Sequence, residues 1–84
     1  MSAKDKLIER FKRQPKDFTF DELKTLLGYF GFKTNNKGKT SGSRVEFENL
    51  TDSLIAHKPH PSNIIKGYAM KQILDYLKEH KYIK

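Results

Sequence analysis

The chain predicts an α+β domain in which helices cover one face of a three-stranded antiparallel sheet. Three observations carry this expectation: apolar stripes at helical spacing over residues 20–30 and 69–80, short runs of β-type alternation between them, and turn-forming clusters that separate the runs. The predicted order is α-β-β-β-α, preceded by an extra N-terminal helix over residues 3–13.

In that first helix Leu7, Ile8 and Phe11 recur at helical spacing, Glu9 stands four residues before Arg13, and Pro15 marks the stop. Thr19-Phe20-Asp21-Glu22 then matches a capping box, in which the Thr hydroxyl accepts an orphan amide and the Glu carboxylate reaches back to the Thr amide. Phe20, Leu23, Leu27 and Phe30 keep one face of the second helix apolar, and Gly31 follows where a left-handed residue ends a helix. Phe32 to Thr34 reads as a strand and Asn35 to Lys39 as a turn, since Asn and Gly tolerate positive φ. Ser43 to Phe47 and Leu54 to Lys58 read as an antiparallel pair. If residues 48–53 form a symmetric loop, Arg44 stands opposite His57 and Val45 opposite Ala56. Arg44, Glu46, Ile55 and His57 then share the open face, while Phe47 faces the core. Ile64 and Ile65 sit in a loop able to tuck under the sheet, and Met70, Ile73, Leu74 and Leu77 give the last helix its stripe.

With 84 residues, 36% of them hydrophobic, the chain supports one small domain spanning residues 1–84, with its expected core at 18–80. There is no cysteine, so disulfides, thiolate nucleophiles and Cys-based metal sites are excluded, and a reducing compartment, the cytoplasm, is the expected address. No apolar run is longer than Leu54-Ile55-Ala56, far below the roughly 20 residues that span a bilayer, and residues 1–11 lack a signal-peptide core. No membrane partner is expected.

Seventeen Lys and Arg against 10 Asp and Glu leave a net charge of +7. The charge is unevenly placed. Lys24, Lys33, Lys37, Lys39 and Arg44 fall between Glu22 and Glu46 with no acid among them, and Lys58, Lys66 and Lys71 fall between Asp52 and Asp75. A localised positive face concentrates polyanions, nucleic acid foremost. His57-Lys58-Pro59-His60-Pro61 lies in the second window, and its prolines enforce extended geometry. At a period of three residues His57 and His60 project to one side, roughly 9 Å apart. RNA cleavage by attack of the ribose 2′-hydroxyl needs a base, an acid and a cation near the phosphoryl oxygens, roles that histidine with lysine or arginine fills without metal. A plainer reading makes them polar loop residues. Two nearby histidines without cysteine fall short of the three or four convergent ligands zinc takes, and the glycines do not form a phosphate loop ahead of a helix, so no metal or small-molecule cofactor is expected.

The run Thr40-Ser41-Gly42-Ser43-Arg44-Val45-Glu46-Phe47, followed by His57-Lys58-Pro59-His60-Pro61 and the closing amphipathic helix, resembles the HicA family of type II toxin–antitoxin toxins. The resemblance covers roughly residues 18 to 80. It implies a fold like a double-stranded RNA-binding domain, ribosome-independent cleavage of mRNA that inhibits translation, and neutralisation by a HicB-like antitoxin covering the active face. In most of the family the segment after Gly-Ser carries the catalytic histidine, whereas here Gly42-Ser43 leads into Arg44-Val45. A guanidinium stays protonated and cannot act as a base. The expected catalytic pair is therefore His57 and His60, of which His60-Pro61 matches the family's His-Pro pair. Arg44 and Lys58 are expected to clamp phosphate, with Lys37, Lys39 and Ser43 as further RNA contacts. The alternatives are an RNA-binding relative without catalysis and a protein-interaction module that presents a basic face.

Overall fold

A computed structural model describes residues 2–35, 44–59 and 62–83. Its elements run α1 (Ala3–Lys12), α2 (Phe20–Tyr29), β1 (Lys33–Asn35), β2 (Arg44–Glu48), β3 (Ser53–His57) and α3 (Gly67–Glu79). The strands form one antiparallel sheet in the order β1-β2-β3. The fold class is therefore α+β, with a three-stranded open sheet and three helices among the described residues. No helix among the described residues is long and apolar enough to cross a membrane.

Two of the helices, α1 and α2, begin at a side-chain cap, and all three end at a left-handed residue. Ser2 caps α1 through its hydroxyl, which accepts from the Asp5 amide at 3.2 Å. The capping box of α2 is present in both directions: the Glu22 amide donates to Thr19 Oγ1 at 3.1 Å, and the Thr19 amide donates to Glu22 Oε1 at 3.0 Å. At its other end Gly31 sits at φ 87°, its amide donating to Gly28 O and the Phe32 amide to Leu27 O. These are the two bonds of a Schellman motif, and buried Leu27 and Phe32 supply its apolar contact. The same motif closes α3 with Lys81 at φ 67° in the glycine position, Lys81 and Tyr82 donating to Lys78 O and Leu77 O. In α1 Gln14 takes the left-handed position at φ 53° and Pro15 follows, so the second of the two bonds has no donor and the helix simply stops.

The β2–β3 register pairs Arg44 with His57, Val45 with Ala56, Glu46 with Ile55 and Phe47 with Leu54, as the symmetric-loop argument expects. Strand β1 is Lys33–Asn35, one residue later than the sequence reading, because Asn35 still pairs with Glu46 while Phe32 is spent on the end of α2. Alternation sends Phe47 and Ala56, with half-buried Val45 and Leu54, to the helix side. There they join Phe20, Leu23, Leu27, Met70, Ile73 and Leu77 in one cluster. That cluster extends beyond residues 18–80, to Phe11 on α1 and Ile83 in the tail. Phe11 packs on Phe18 with ring centroids 5.2 Å apart.

Two ties hold the connecting segments. The Ile65 amide donates to Phe18 O at 2.9 Å and the Phe20 amide to Asn63 O at 2.8 Å, which seats Ile65 in the core and fixes where α3 begins. At the far end of the sheet Asn49 Oδ1 accepts from the amides of Thr51 and Asp52, closing the hairpin loop. Asn49 Nδ2 donates to Tyr82 Oη at 2.8 Å, Tyr82 Oη donates to Asp52, and His80 Nδ1 lies 3.2 Å from Asp52 Oδ1. His80 and Tyr82 thus fasten the tail to the hairpin.

Candidate functional site

The helix-free side of the sheet carries the side chains of Arg44, Glu46 and Glu48 from β2 and Ser53, Ile55 and His57 from β3. It is not uniformly basic. Glu46 and Glu48 occupy its middle strand, which the two acid-free windows of the sequence straddle without including. Positive charge concentrates at one end, where β2 starts and β3 finishes: Arg44 stands directly across from His57, and Lys58 follows. All three are exposed. The other end, with Glu48, the Asn49–Asp52 loop and the Asp52–His80 pair, carries the acids, with Lys33 of β1 across from Glu48. Tyr82's hydroxyl is the main cause that holds the Asp52 carboxyl below the usual carboxylate range, with Thr51 and His80 adding to it against partial desolvation. An anion is therefore directed to the Arg44 end.

Beside that end a cleft of about 370 Å³ opens between β3 and the first turns of α3. Leu23, Ile65 and Ile73 form its floor, and His57, Lys58 and Pro59 its strand-side rim. Lys66, Tyr68 and Gln72 line the helix side. His57 thus belongs both to the open face, opposite Arg44, and to the cleft. Because β3 is an outer strand, one edge of it has no strand partner among the described residues. The Asn49 amide bonds to Asp52 O at the loop, so antiparallel alternation turns the main-chain groups of Ser53, Ile55 and His57 outward, and Ser53 O there accepts the Tyr76 hydroxyl at 2.9 Å.

Of the residues expected from sequence to act, the structure brings Arg44, His57 and Lys58 to one place. Lys37, Lys39, Ser43 and His60 lie outside the described residues. The sequence reading grouped Lys66 with Lys58 by charge without giving it a role, and it missed Tyr68. Their signal was faint, since an aromatic and a lysine ahead of an amphipathic helix stand out only once α3 is seen to pack beside β3. No family model matches the chain, and no curated protein and no solved structure does so either.

Proposed function

We propose that the chain is a HicA-like toxin, an endoribonuclease that cleaves mRNA without a metal and is held inactive by a HicB-like antitoxin bound over its basic end. The observation that carries the reading is the cross-strand placement of Arg44 opposite His57 on an open sheet face, with Lys58 next to it, in a chain of net charge +7. The order α2-β1-β2-β3-α3 with both helices on one side of the sheet is also the arrangement expected of a double-stranded RNA-binding-like domain, α1 being an addition to it.

Strand cleavage by this route moves one proton each way. A base takes the proton of the ribose 2′-hydroxyl, the 2′ oxygen bonds to phosphorus as the bond to the 5′ oxygen breaks, and an acid protonates that oxygen, leaving a cyclic phosphate and a 5′-hydroxyl. His57 fills one proton-transfer role and His60, three residues on, the other. Arg44 and Lys58 stabilise the negative charge that builds on the phosphoryl oxygens. A second reading, an RNA-binding relative without catalysis, is favoured by one feature: Arg44 stands where the HicA resemblance places a histidine.

The deciding experiment incubates the purified chain with a long single-stranded RNA in excess chelator, beside the His57→Ala/His60→Ala double variant checked for folding by circular dichroism. Cleavage by the parent alone supports the ribonuclease. Retained binding without cleavage by either protein supports the inactive relative, and absence of both leaves the protein-interaction module.

A further inference from the structure

We infer that the cleft between β3 and α3 is a base subsite: the ring of Tyr68 stacks on one unpaired nucleobase of single-stranded RNA next to the phosphate held at Arg44 and His57. The inference rests on the RNA reading above and adds the class of RNA to it. Tyr68 is 68% exposed in the first turn of α3, far more than an aromatic side chain needing burial would be, and it shares the cleft with His57. Every nucleobase has a π-face that an exposed ring can cover, which is how proteins take hold of single strands whatever their sequence.

The remaining walls suit the same occupant. Lys58 and Lys66 stand on opposite sides of the cleft mouth, placed to meet the phosphates on either side of an inserted nucleotide. The Gln72 amide and the outward main-chain groups of Ile55 offer donors and acceptors to a base edge, while Ala56, Ala69 and Ile73 supply apolar wall. A volume of about 370 Å³ lies near the small end of ligand pockets, which run from about 300 to 1,000 Å³. It admits a single base and excludes a duplex, whose bases are stacked and paired. Because His57 borders both cleft and open face, a base seated against Tyr68 places its neighbouring phosphate at the Arg44–His57 pair. Tyr68 is accordingly a positioning residue, not a catalytic one.

The test measures binding by fluorescence anisotropy with a 2′-O-methyl oligouridine, which cannot be cleaved. Its duplex with oligoadenosine and the same backbone carrying abasic sugars serve as comparison probes. The expected result is that the parent protein prefers the single strand to the duplex. Tyr68→Ala weakens single-strand binding by about 5- to 150-fold, the range found for loss of one stacked base, and leaves the abasic probe unaffected. Tyr68→Phe keeps the parent affinity. Tyr68 is exposed, so these variants fold, and circular dichroism verifies it. Unchanged single-strand affinity in Tyr68→Ala, an equal loss on the abasic probe, or a Tyr68→Phe variant as weak as Tyr68→Ala overturns the base subsite and leaves the RNA reading standing. A parent protein that binds none of the probes but takes an acidic extended peptide along the free edge of β3 overturns both.

Discussion

At the scale of single residues, Arg44 and Tyr82 show how position decides what a side chain does. Arg44 is exposed and opposite His57, so its planar fork can grip two phosphoryl oxygens at once. Arg44→Lys keeps the charge but loses the fork, and Arg44→Ala loses both. Single-turnover cleavage is expected to fall by about 10²-fold in the alanine variant, the scale of one missing oxyanion donor, with the lysine variant between it and the parent. Equal rates in the two variants would sink the clamp assignment. Tyr82 is half-buried and bonded to Asn49 and Asp52, so Tyr82→Phe leaves both partners without their hydroxyl. The expected loss is about 1–2 kcal/mol in urea unfolding, with cleavage unchanged because this network lies at the acidic end of the sheet. The cross-strand neighbours of Arg44 were legible in the sequence because a symmetric loop fixes every pair along a hairpin. Tyr68 was not legible, because its setting depends on where α3 packs, and no local pattern encodes that.

At the scale of elements, what could be read in advance were the signals written in residue types with one dominant use. The capping box at Thr19–Glu22 and the left-handed Gly31 fall into this class, and both stand as expected. The left-handed caps of α1 and α3 escaped notice because Gln14 and Lys81 hold that position with no glycine to announce it, although Pro15 marked the stop of α1. The short tie between residues 18–20 and 63–65 escaped too, since a two-bond pairing across so long a stretch of chain leaves no periodicity. Lys81 carries a testable consequence. A side chain at φ 67° costs about 1–2 kcal/mol, and glycine there relieves it at an entropic cost of about 0.4–1 kcal/mol in the unfolded chain. Lys81→Gly is therefore expected to raise stability by up to about 1 kcal/mol, an increase of roughly 4–8 °C in Tm at most for a domain of this size. A drop in Tm would show that the lysine side chain itself holds the tail.

At the scale of the whole molecule, two separated ion-pair regions, one joining α1 to α2 and one joining the C-terminal tail to the β2–β3 loop, set the response to acid. Arg10 bonds Glu22 Oε2 through Nε at 2.9 Å, and this contact is the main cause that holds the Glu22 carboxyl below its ordinary value of 4.5. Asp52 is likewise held below its ordinary 3.8, chiefly by Tyr82. A carboxyl with a depressed folded-state value contributes stability that is fully present above its unfolded value and lost as pH falls through the folded one. Tm is therefore expected to be level above about pH 5 and to decline below it. Glu22→Gln should start lower at neutral pH and decline less steeply. Net charge is distributed just as unequally, and this gives the sharpest test of the whole reading. Single-stranded nucleic acid releases counterions in proportion to the phosphates a protein neutralises, so log affinity falls with log salt at about 0.7 per phosphate. On the proposed reading, four phosphates, three of them at Arg44, Lys58 and Lys66, predict a slope near −3. Lys58→Ala/Lys66→Ala should reduce that slope by about 1.4, because two phosphates lose their partners. Lys6→Ala at an exposed position of α1, which removes the same kind of charge away from the sheet, should leave it unchanged. A reduction by Lys6→Ala of half that of the double variant, equal per charge removed, would mean that RNA responds to net charge alone, and the assignment of a binding end to the sheet would fall with it.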